Sequence, residues 1–378
     1  MFILVVIFWL LLFLLYFAYL GYPKFLFVVS LFVRHPIKTG DVLPRLTLLI
    51  PAYNEAEILK KKLENVLKID YPQNLLQIIV ISDASTDGTN SIAASFAEQG
   101  VQLIVNEQRS GKTFGLNRAV EIAEGDILLF TDADAFFEKD SLRMLIRGFA
   151  DESVGLITGS TRYYSQVEDG GVVLSMGVYT RLEKWLKVYE SKIGSCVGAD
   201  GAIFALRKDL YQPLRNTDIN DLVIPMNTVR RGYRVVLDAD VFCREEHSTS
   251  NDEEFNRQIR ISNRTITALL NNWDLLNPVR YGNFSWMLFF HKWLRFLFPV
   301  FMLLAMTINL VLLLVCFSWL YLIVLLSMII FVLLPFCMTS TEGLLASVLK
   351  SFVMTNVAIL IGWKKALLDE VIVTWGDR

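Results

Sequence analysis

Histidine and cysteine are scarce in this chain of 378 residues, with three of the first and four of the second. Cys196, Cys243, Cys316 and Cys337 show no CxxC spacing and two of them fall in apolar runs, so they read as reduced or buried thiols. His35, His247 and His291 are too scattered in sequence to suggest a zinc site. An excess of charge is also missing. The formal net charge of −2 argues against bulk affinity for nucleic acid. Internal repeats and low-complexity tracts are absent. What the chain has in quantity is apolar: 54% of its residues are hydrophobic, more than a water-soluble domain alone needs.

The apolar residues concentrate at the two ends. Residues 1–20 carry no charge and as a helix would span about 30 Å, one bilayer core. A cleaved signal peptide would need a basic start and a small-residue cleavage site, so an uncleaved anchor over 1–23 is expected, closed by Gly21 and Pro23. Residues 24–45 form a basic juxtamembrane linker, where Lys24, Arg34, His35, Lys38 and Arg45 stand against Asp41 alone. By the positive-inside tendency this side is cytoplasmic and the N-terminus faces out. Near the other end, 276–295 mixes aromatics with His291, Lys292 and Arg295 and is expected to be an interfacial segment. No charged residue occurs from 296 to 341, which is enough for two transmembrane helices turning near Phe317-Ser-Trp319. In 342–378 a third apolar segment is interrupted by Lys350, and both a spanning and an interfacial helix remain open for it.

Between these ends, 46–275 reads as a water-soluble α/β domain. Strands are expected over 46–50, 77–81, 101–105 and 126–130, with helices over 55–67, 88–99 and 112–123. Such alternation argues for a parallel sheet covered by helices on both faces. In open α/β sheets ligands sit beyond the carboxyl ends of the strands. The fourth strand, Asp126-Ile-Leu-Leu-Phe-Thr-Asp-Ala-Asp134, would deliver Asp132 and Asp134 there. Paired carboxylates in that place suit a hard divalent cation bridging to a diphosphate. A second pair, Asp238-Ala-Asp240, lies later in the chain, where a strand-end turn is the plainer role.

Pro51-Ala-Tyr-Asn-Glu55, Ser82-Asp-Ala-Ser-Thr-Asp-Gly-Thr89, Gly111-Lys112 with Asn117, and Thr131-Asp-Ala-Asp134 resemble the successive nucleotide-sugar motifs of family 2 glycosyltransferases. Gly198-Ala-Asp-Gly-Ala202, Asn220-Asp221 and Arg257-Gln-Ile-Arg260 occupy the places of that family's acceptor-loop, base and post-base motifs. The flanking apolar helices resemble its membrane-bound branch, which includes the cellulose, hyaluronan and poly-N-acetylglucosamine synthases. The resemblance implies a GT-A-like fold, an α/β architecture with a mixed, mostly parallel sheet, helices on both faces, and transmembrane and interfacial helices besides. Processive members usually show QxxRW where this chain has Arg257-Gln258-Ile259-Arg260-Ile261.

Further implications follow from the resemblance. The enzyme would be a hexosyl- or N-acetylhexosaminyl-transferase of the inner (plasma) membrane, multi-pass, with its catalytic domain in the cytoplasm. It would move a sugar from a nucleoside-diphosphate sugar, UDP-linked, to a saccharide or lipid-linked acceptor in cell-surface polysaccharide synthesis. The alternative is a processive synthase that exports its own polymer. Membrane lipid and polysaccharide-export proteins are the further partners implied, and Mg2+ or Mn2+ the cofactor. Asp221 would be the catalytic base. Pro51, Ala52, Tyr53, Asn54, Glu55, Asp83, Ser85, Lys112, Asn117, Asp132 and Ala133 would line the nucleotide-sugar site. Gly201, Arg257 and Arg260 would face acceptor or phosphate, and Asp134, with His247, would hold the metal. Two other classes compete. A nucleotidyltransferase would need a Gly-rich, Arg-bearing loop after the first strand, which Pro51-Ala-Tyr-Asn-Glu55 lacks. An inactive membrane scaffold of an export complex would not need both Asp134 and Asp221.

Overall fold

The computed structural model describes residues 1–164, 170–246, 251–337 and 344–373. The chain begins with helices α1 (Phe2–Tyr16) and α2 (Tyr22–Phe32), which form one continuous rod. Gly21 and Pro23, expected to close the anchor, do not. A π turn over Phe17–Gly21 lets the Tyr22 N–H reach back to the Phe17 carbonyl, and Pro23 falls in the first turn of α2. A proline there has no N–H to bond back along the rod, and the wider π turn just before it absorbs that missing bond.

The α/β domain follows. Strands β1 (Leu46–Ala52), β2 (Leu76–Ser82), β3 (Val101–Val105) and β4 (Ile127–Phe130) alternate with helices α3 (Ala56–Val66), α4 (Thr89–Ser95) and α5 (Lys112–Glu121). The short β5 (Ala135–Phe137) and α6 (Ser141–Ile146) precede β6 (Val154–Tyr164), α7 (Gly170–Ile193) and β7 (Phe204–Arg207). Then come α8 (Asn220–Arg230), β8 (Arg234–Glu246) and α9 (Asn251–Asn271). All eight strands join one mixed sheet in the order β3-β2-β1-β4-β7-β6-β8-β5. Its first half is parallel, and β7 and β5 run against their neighbours. Alternate residues of β1 feed two cores: Leu49 packs on one face, and Leu46, Leu48 and Ile50 on the other. Each fully buried Leu or Ile contributes about 1.5–3 kcal/mol.

The chain then runs through α10 (Pro278–Tyr281) and α11 (Asn283–Leu288) into α12 (Leu294–Val315), α13 (Trp319–Cys337) and α14 (Leu344–Leu367). Among the described residues three helical stretches, Phe2–Phe32, Asn283–Val315 and Leu345–Leu367, are long and apolar enough to cross a membrane, and Trp319–Leu334 is a shorter apolar helix. The aromatic stretch expected as a separate interfacial segment is instead largely continuous with α12, because a second π turn, Phe289–Trp293, joins α11 to it. That turn points His291 inward. Its Nδ1 lies 2.7 Å from Glu190 and its Nε2 3.1 Å from Glu183, and the Tyr22 hydroxyl donates to Glu190 at 2.6 Å. Arg295 also donates to Glu183. This buried polar cluster fastens the first and later apolar helices to α7. At its far end α14 lies on α9 so closely that a side chain at Gly362 would meet Ser262 Cβ at 2.9 Å.

Candidate active site

The carboxyl ends of β1, β2 and β4 and the loops after them make one surface, and its loops brace each other. Asn54 takes a left-handed backbone (φ 52°), and its Oδ1 accepts from the Thr86 N–H at 2.9 Å. The Ser85 hydroxyl accepts from the Asn54 N–H at 3.2 Å, and Thr89 Oγ1 from the Glu55 N–H at 2.9 Å. Tyr53, at the end of β1, stacks under the Arg109 guanidinium, 3.9 Å from the ring centre. Asp83 is buried, and its carboxylate accepts from Asn106, from the Ser110 N–H and from the Gly111 N–H at 2.8–2.9 Å. It therefore organises the loop that presents Lys112. Gly111 needs its glycine, since φ is +87° there.

Lys112, at the start of α5, reaches Asp132 at 2.5 Å. Beyond β4 the chain passes through Thr131, Asp132, Ala133 and Asp134 and turns into β5, which pairs antiparallel with the end of β8. In that register Ala135 faces Glu245. Asp132, Asp134 and Glu245 consequently come together, each offering one carboxylate oxygen within 4.8 Å of the others. Burial raises the Glu245 pKa well above the usual carboxylate range, and the charges of Asp134, Asp132 and Asp200 push it the same way. Glu245 was not singled out from the sequence. The available signal was its place at the end of an apolar strand, two residues before His247, as Asp132 stands after β4.

Asp221 stands in the first turn of α8, whose N-cap is Ile219. Its Oδ1 is buried without a hydrogen-bond partner. Burial raises the pKa of Asp221, while Lys112, Lys187 and Lys292 oppose that and Asp132 adds to it. Asp218, two residues before this helix, accepts from the Arg215 N–H at 2.9 Å and so closes the turn that leads into it. The acceptor-loop motif wraps around Asp221. The Ala199 N–H donates to the Asp221 carbonyl at 2.6 Å, the Lys187 ammonium holds the Ala199 carbonyl at 2.8 Å, and Gly201 packs beside the carboxylate.

The remaining residues singled out from sequence divide. Pro51 and Ala52 are the last residues of β1, and Ala133 is buried between the two aspartates. Arg257 on α9 pairs with Glu254 at 3.1 Å. Burial disfavours its charge, but Glu254, Tyr163 and Glu245 outweigh this and raise its pKa, so it is no plain solvated helix face. Arg260, one turn on, is also engaged. Asn117, on α5, is engaged by the loop around Leu214. Its amide donates to the Leu214 carbonyl at 2.8 Å and accepts from the Tyr211 hydroxyl and the Leu214 N–H, clamping that loop onto α5. His247 lies outside the described residues. The second aspartate pair is occupied: Arg147 bonds Asp238 through Nε and Nη2 and Asp240 through Nη2, at 2.9–3.0 Å.

With this geometry in view, similarity to known proteins becomes informative. Residues 47–212 match the family model described as "Glycosyl transferase family 2". A poly-beta-1,6-N-acetyl-D-glucosamine synthase of Staphylococcus aureus (strain COL) is 26% identical over 216 residues, 56% of this chain and 52% of that one. The probable glycosyltransferase YdaM of Bacillus subtilis (strain 168) is 26% identical over 207 residues, 51% of this chain and 48% of its own. The chain thus spans about half the length of the curated relatives it matches. Among solved structures, the mannosyltransferase PcManGT from Pyrobaculum calidifontis, in complex with GDP-Man and Mn2+, superposes with a TM-score of 0.74. That likeness covers 97% of this chain and 99% of the other at 22% identity, which speaks for a shared fold. Residues 47–212, the larger part of the α/β domain beyond the first apolar helix, are thus similar to the glycosyl transferase family 2 domain.

Proposed function

We propose that this chain is a membrane-bound inverting glycosyltransferase that moves a sugar from a nucleoside-diphosphate sugar to a saccharide or lipid-linked acceptor in cell-surface polysaccharide synthesis. The observation that carries the reading is one geometry: three carboxylates gathered at the end of β4, with Lys112 beside them, and a half-buried Asp221 close enough to feel both Lys112 and Asp132. The sugar is a hexose or an N-acetylhexosamine, in keeping with the name of the staphylococcal relative.

Hard carboxylate oxygens in a like-charged group fit Mg2+ or Mn2+. Asp134 and Glu245 would hold the ion, with Asp132 beside it toward the ribose. When bound, the cation supplies positive charge against the departing diphosphate. The chain's own groups do the rest. Tyr53, Asn54 and Glu55 border the nucleoside, and Asp83 keeps the Gly111 loop open to it. Lys112 adds a second positive charge near the phosphates. On the far side of the sugar, Asp221 takes the proton of the acceptor hydroxyl as that oxygen attacks the anomeric carbon and the diphosphate leaves. Its raised pKa brings the base nearer the operating pH. Gly201 brings the acceptor loop against the Asp221 carboxylate, and Arg257 and Arg260 face an acceptor phosphate or the diphosphate. The basic residues Arg34, Lys38 and Arg45 after the first apolar helix favour a cytoplasmic catalytic domain in the inner membrane.

The test is nucleoside diphosphate release by the purified chain in detergent with a panel of UDP- and GDP-sugars and added lipid acceptor. Acceptor-stimulated release from at least one donor, abolished in Asp221→Asn, supports the reading. No release from any donor, with folding intact, contradicts it.

A further inference from the structure

A lysine is buried directly behind the carboxylate group. Lys62 is 0% exposed and lies on the inner face of α3 between Leu59 and Leu63. Its ammonium donates to Thr131 Oγ1 at 2.9 Å and to the Ala135 carbonyl. Those two residues bracket Asp132-Ala133-Asp134. The ammonium also lies 3.9 Å from the centre of the Phe137 ring. One turn further along α3, Asn65 donates to the Phe137 carbonyl and accepts from the Phe137 N–H, both at 2.9 Å. A single helix thus grips the backbone on both sides of the aspartate pair and along β5.

An ammonium is a costly filler for a core. Burying one without full compensation costs several kcal/mol, in the order of magnitude expected for an ion taken from water, where a methionine would cost nothing of the kind. Burial lowers the Lys62 pKa to about 8, and Cys243, Asp132, Asp134 and Glu245 all act to hold its charge. Its direct bonds go to neutral oxygens of the loop, so its contacts fix the backbone and hydroxyl positions on either side of the aspartate pair.

We propose that Lys62 is a positioning residue of the acidic site, tying both ends of the Asp132–Asp134 loop so that its carboxylates stand at the spacing a divalent cation requires. The proposal rests on the reading of Asp132, Asp134 and Glu245 as a cation site. Supporting contacts of this kind typically govern about 10–100-fold in metal affinity.

Mn2+ binding to the full chain in detergent, followed by the electron paramagnetic resonance signal of free Mn2+ without any sugar donor, tests it. Lys62→Met is expected to weaken binding roughly 10–100-fold. Lys62→Gln keeps a hydrogen-bond donor and is expected to weaken it less, and it carries the test alone if Lys62→Met does not fold. Loss of charge works the other way, since removing a cation near three carboxylates tightens Mn2+ binding, so weaker binding in Lys62→Gln reports lost positioning. Leu63→Ala, a core truncation on the same helix, should lower Tm and bind Mn2+ as the unaltered chain does. Unchanged or tighter binding in the Lys62 variants, or equal weakening in Leu63→Ala, overturns the proposal while leaving the cation site standing. An unaltered chain that binds no Mn2+ overturns the site itself, and this proposal with it.

Discussion

A methyl group in place of the Gly201 hydrogen would stand 3.3 Å from Asp221 Oδ2, closer than such contacts normally come. The acceptor loop and the base are therefore packed with no room between them. Gly201→Ala is expected to push the carboxylate aside by a few tenths of an ångström and to lower transfer about tenfold, since misplacement of around 1 Å can cost about a hundredfold. Nucleotide-sugar binding should be unchanged, as should Tm within a few degrees. Steady-state rates with saturating donor and varied acceptor check this, and an unimpaired Gly201→Ala would place the acceptor elsewhere.

Asp221 should announce its role through pH. Its ionised form is the base, and burial raises its pKa, so transfer should fall as pH drops through a value above the ordinary carboxylate range of about 3.9. An acid limb of kcat/KM at or below that ordinary value would point to another group. Asp221→Asn is expected to lose about 10²–10⁴ in rate. The same shift bears on stability. A folded-state pKa above the unfolded one means that protonation favours the fold, and this contribution is lost as pH rises through the folded pKa. Asparagine removes the ionisation, so Asp221→Asn should melt higher than the unaltered chain at neutral pH. A lower Tm in a thermal scan would argue against the buried, destabilised carboxylate.

The two Asp-Ala-Asp pairs should separate cleanly. Asp134 belongs to the carboxylate group beyond β4, whereas Asp238 and Asp240 are both bonded by Arg147. Asp134→Asn should abolish transfer, and Glu245→Gln should raise the Mn2+ or Mg2+ concentration needed for half-maximal rate. Asp240→Asn removes one partly exposed ion pair, worth about 0–1 kcal/mol, and should keep most of the activity. Metal titrations of rate on the three variants decide it. Equal loss in Asp134→Asn and Asp240→Asn would mean that the wrong pair carries the chemistry.

Asn117 is expected to act on stability alone. Truncation to Ala leaves the Tyr211 hydroxyl and the Leu214 backbone groups without their partner, at a cost of about 1–3 kcal/mol. Tm should fall while the donor KM stays put. A raised donor KM at unchanged Tm would instead put Asn117 in the nucleotide site.

The alternation of β1 through β4 with α3, α4 and α5 was legible because each element is a local pattern: short apolar runs for strands, a 3.6-residue period for helices. Asp132, Asp134 and Lys112 stood out for the same reason, at places where a strand or helix begins or ends, and Asp221 only through the resemblance of Asn220-Asp221 to a family motif. Glu245 was not, because only the fold-back of β5 onto the end of β8 brings it to Asp134, and that pairing joins segments distant in sequence. Lys62 was hidden among Lys60, Lys61 and Lys62, where only the register of α3 decides which one turns inward. Gly21 and Pro23 misled because their ordinary meaning is helix termination, whereas here a π turn ends on Gly21 and carries the helix on through Pro23.

The central claim is that Asp221 takes a proton from an acceptor while the carboxylate group serves a sugar diphosphate. Mass spectrometry of the acceptor fraction, after incubating the purified full chain with one active donor sugar and Mn2+, tests it most directly. The unaltered chain should add the mass of one or more sugar residues to the acceptor, and Asp221→Asn, folded and still binding donor, should add none within the same time. Equal glycosylation by the Asp221→Asn chain would contradict the account.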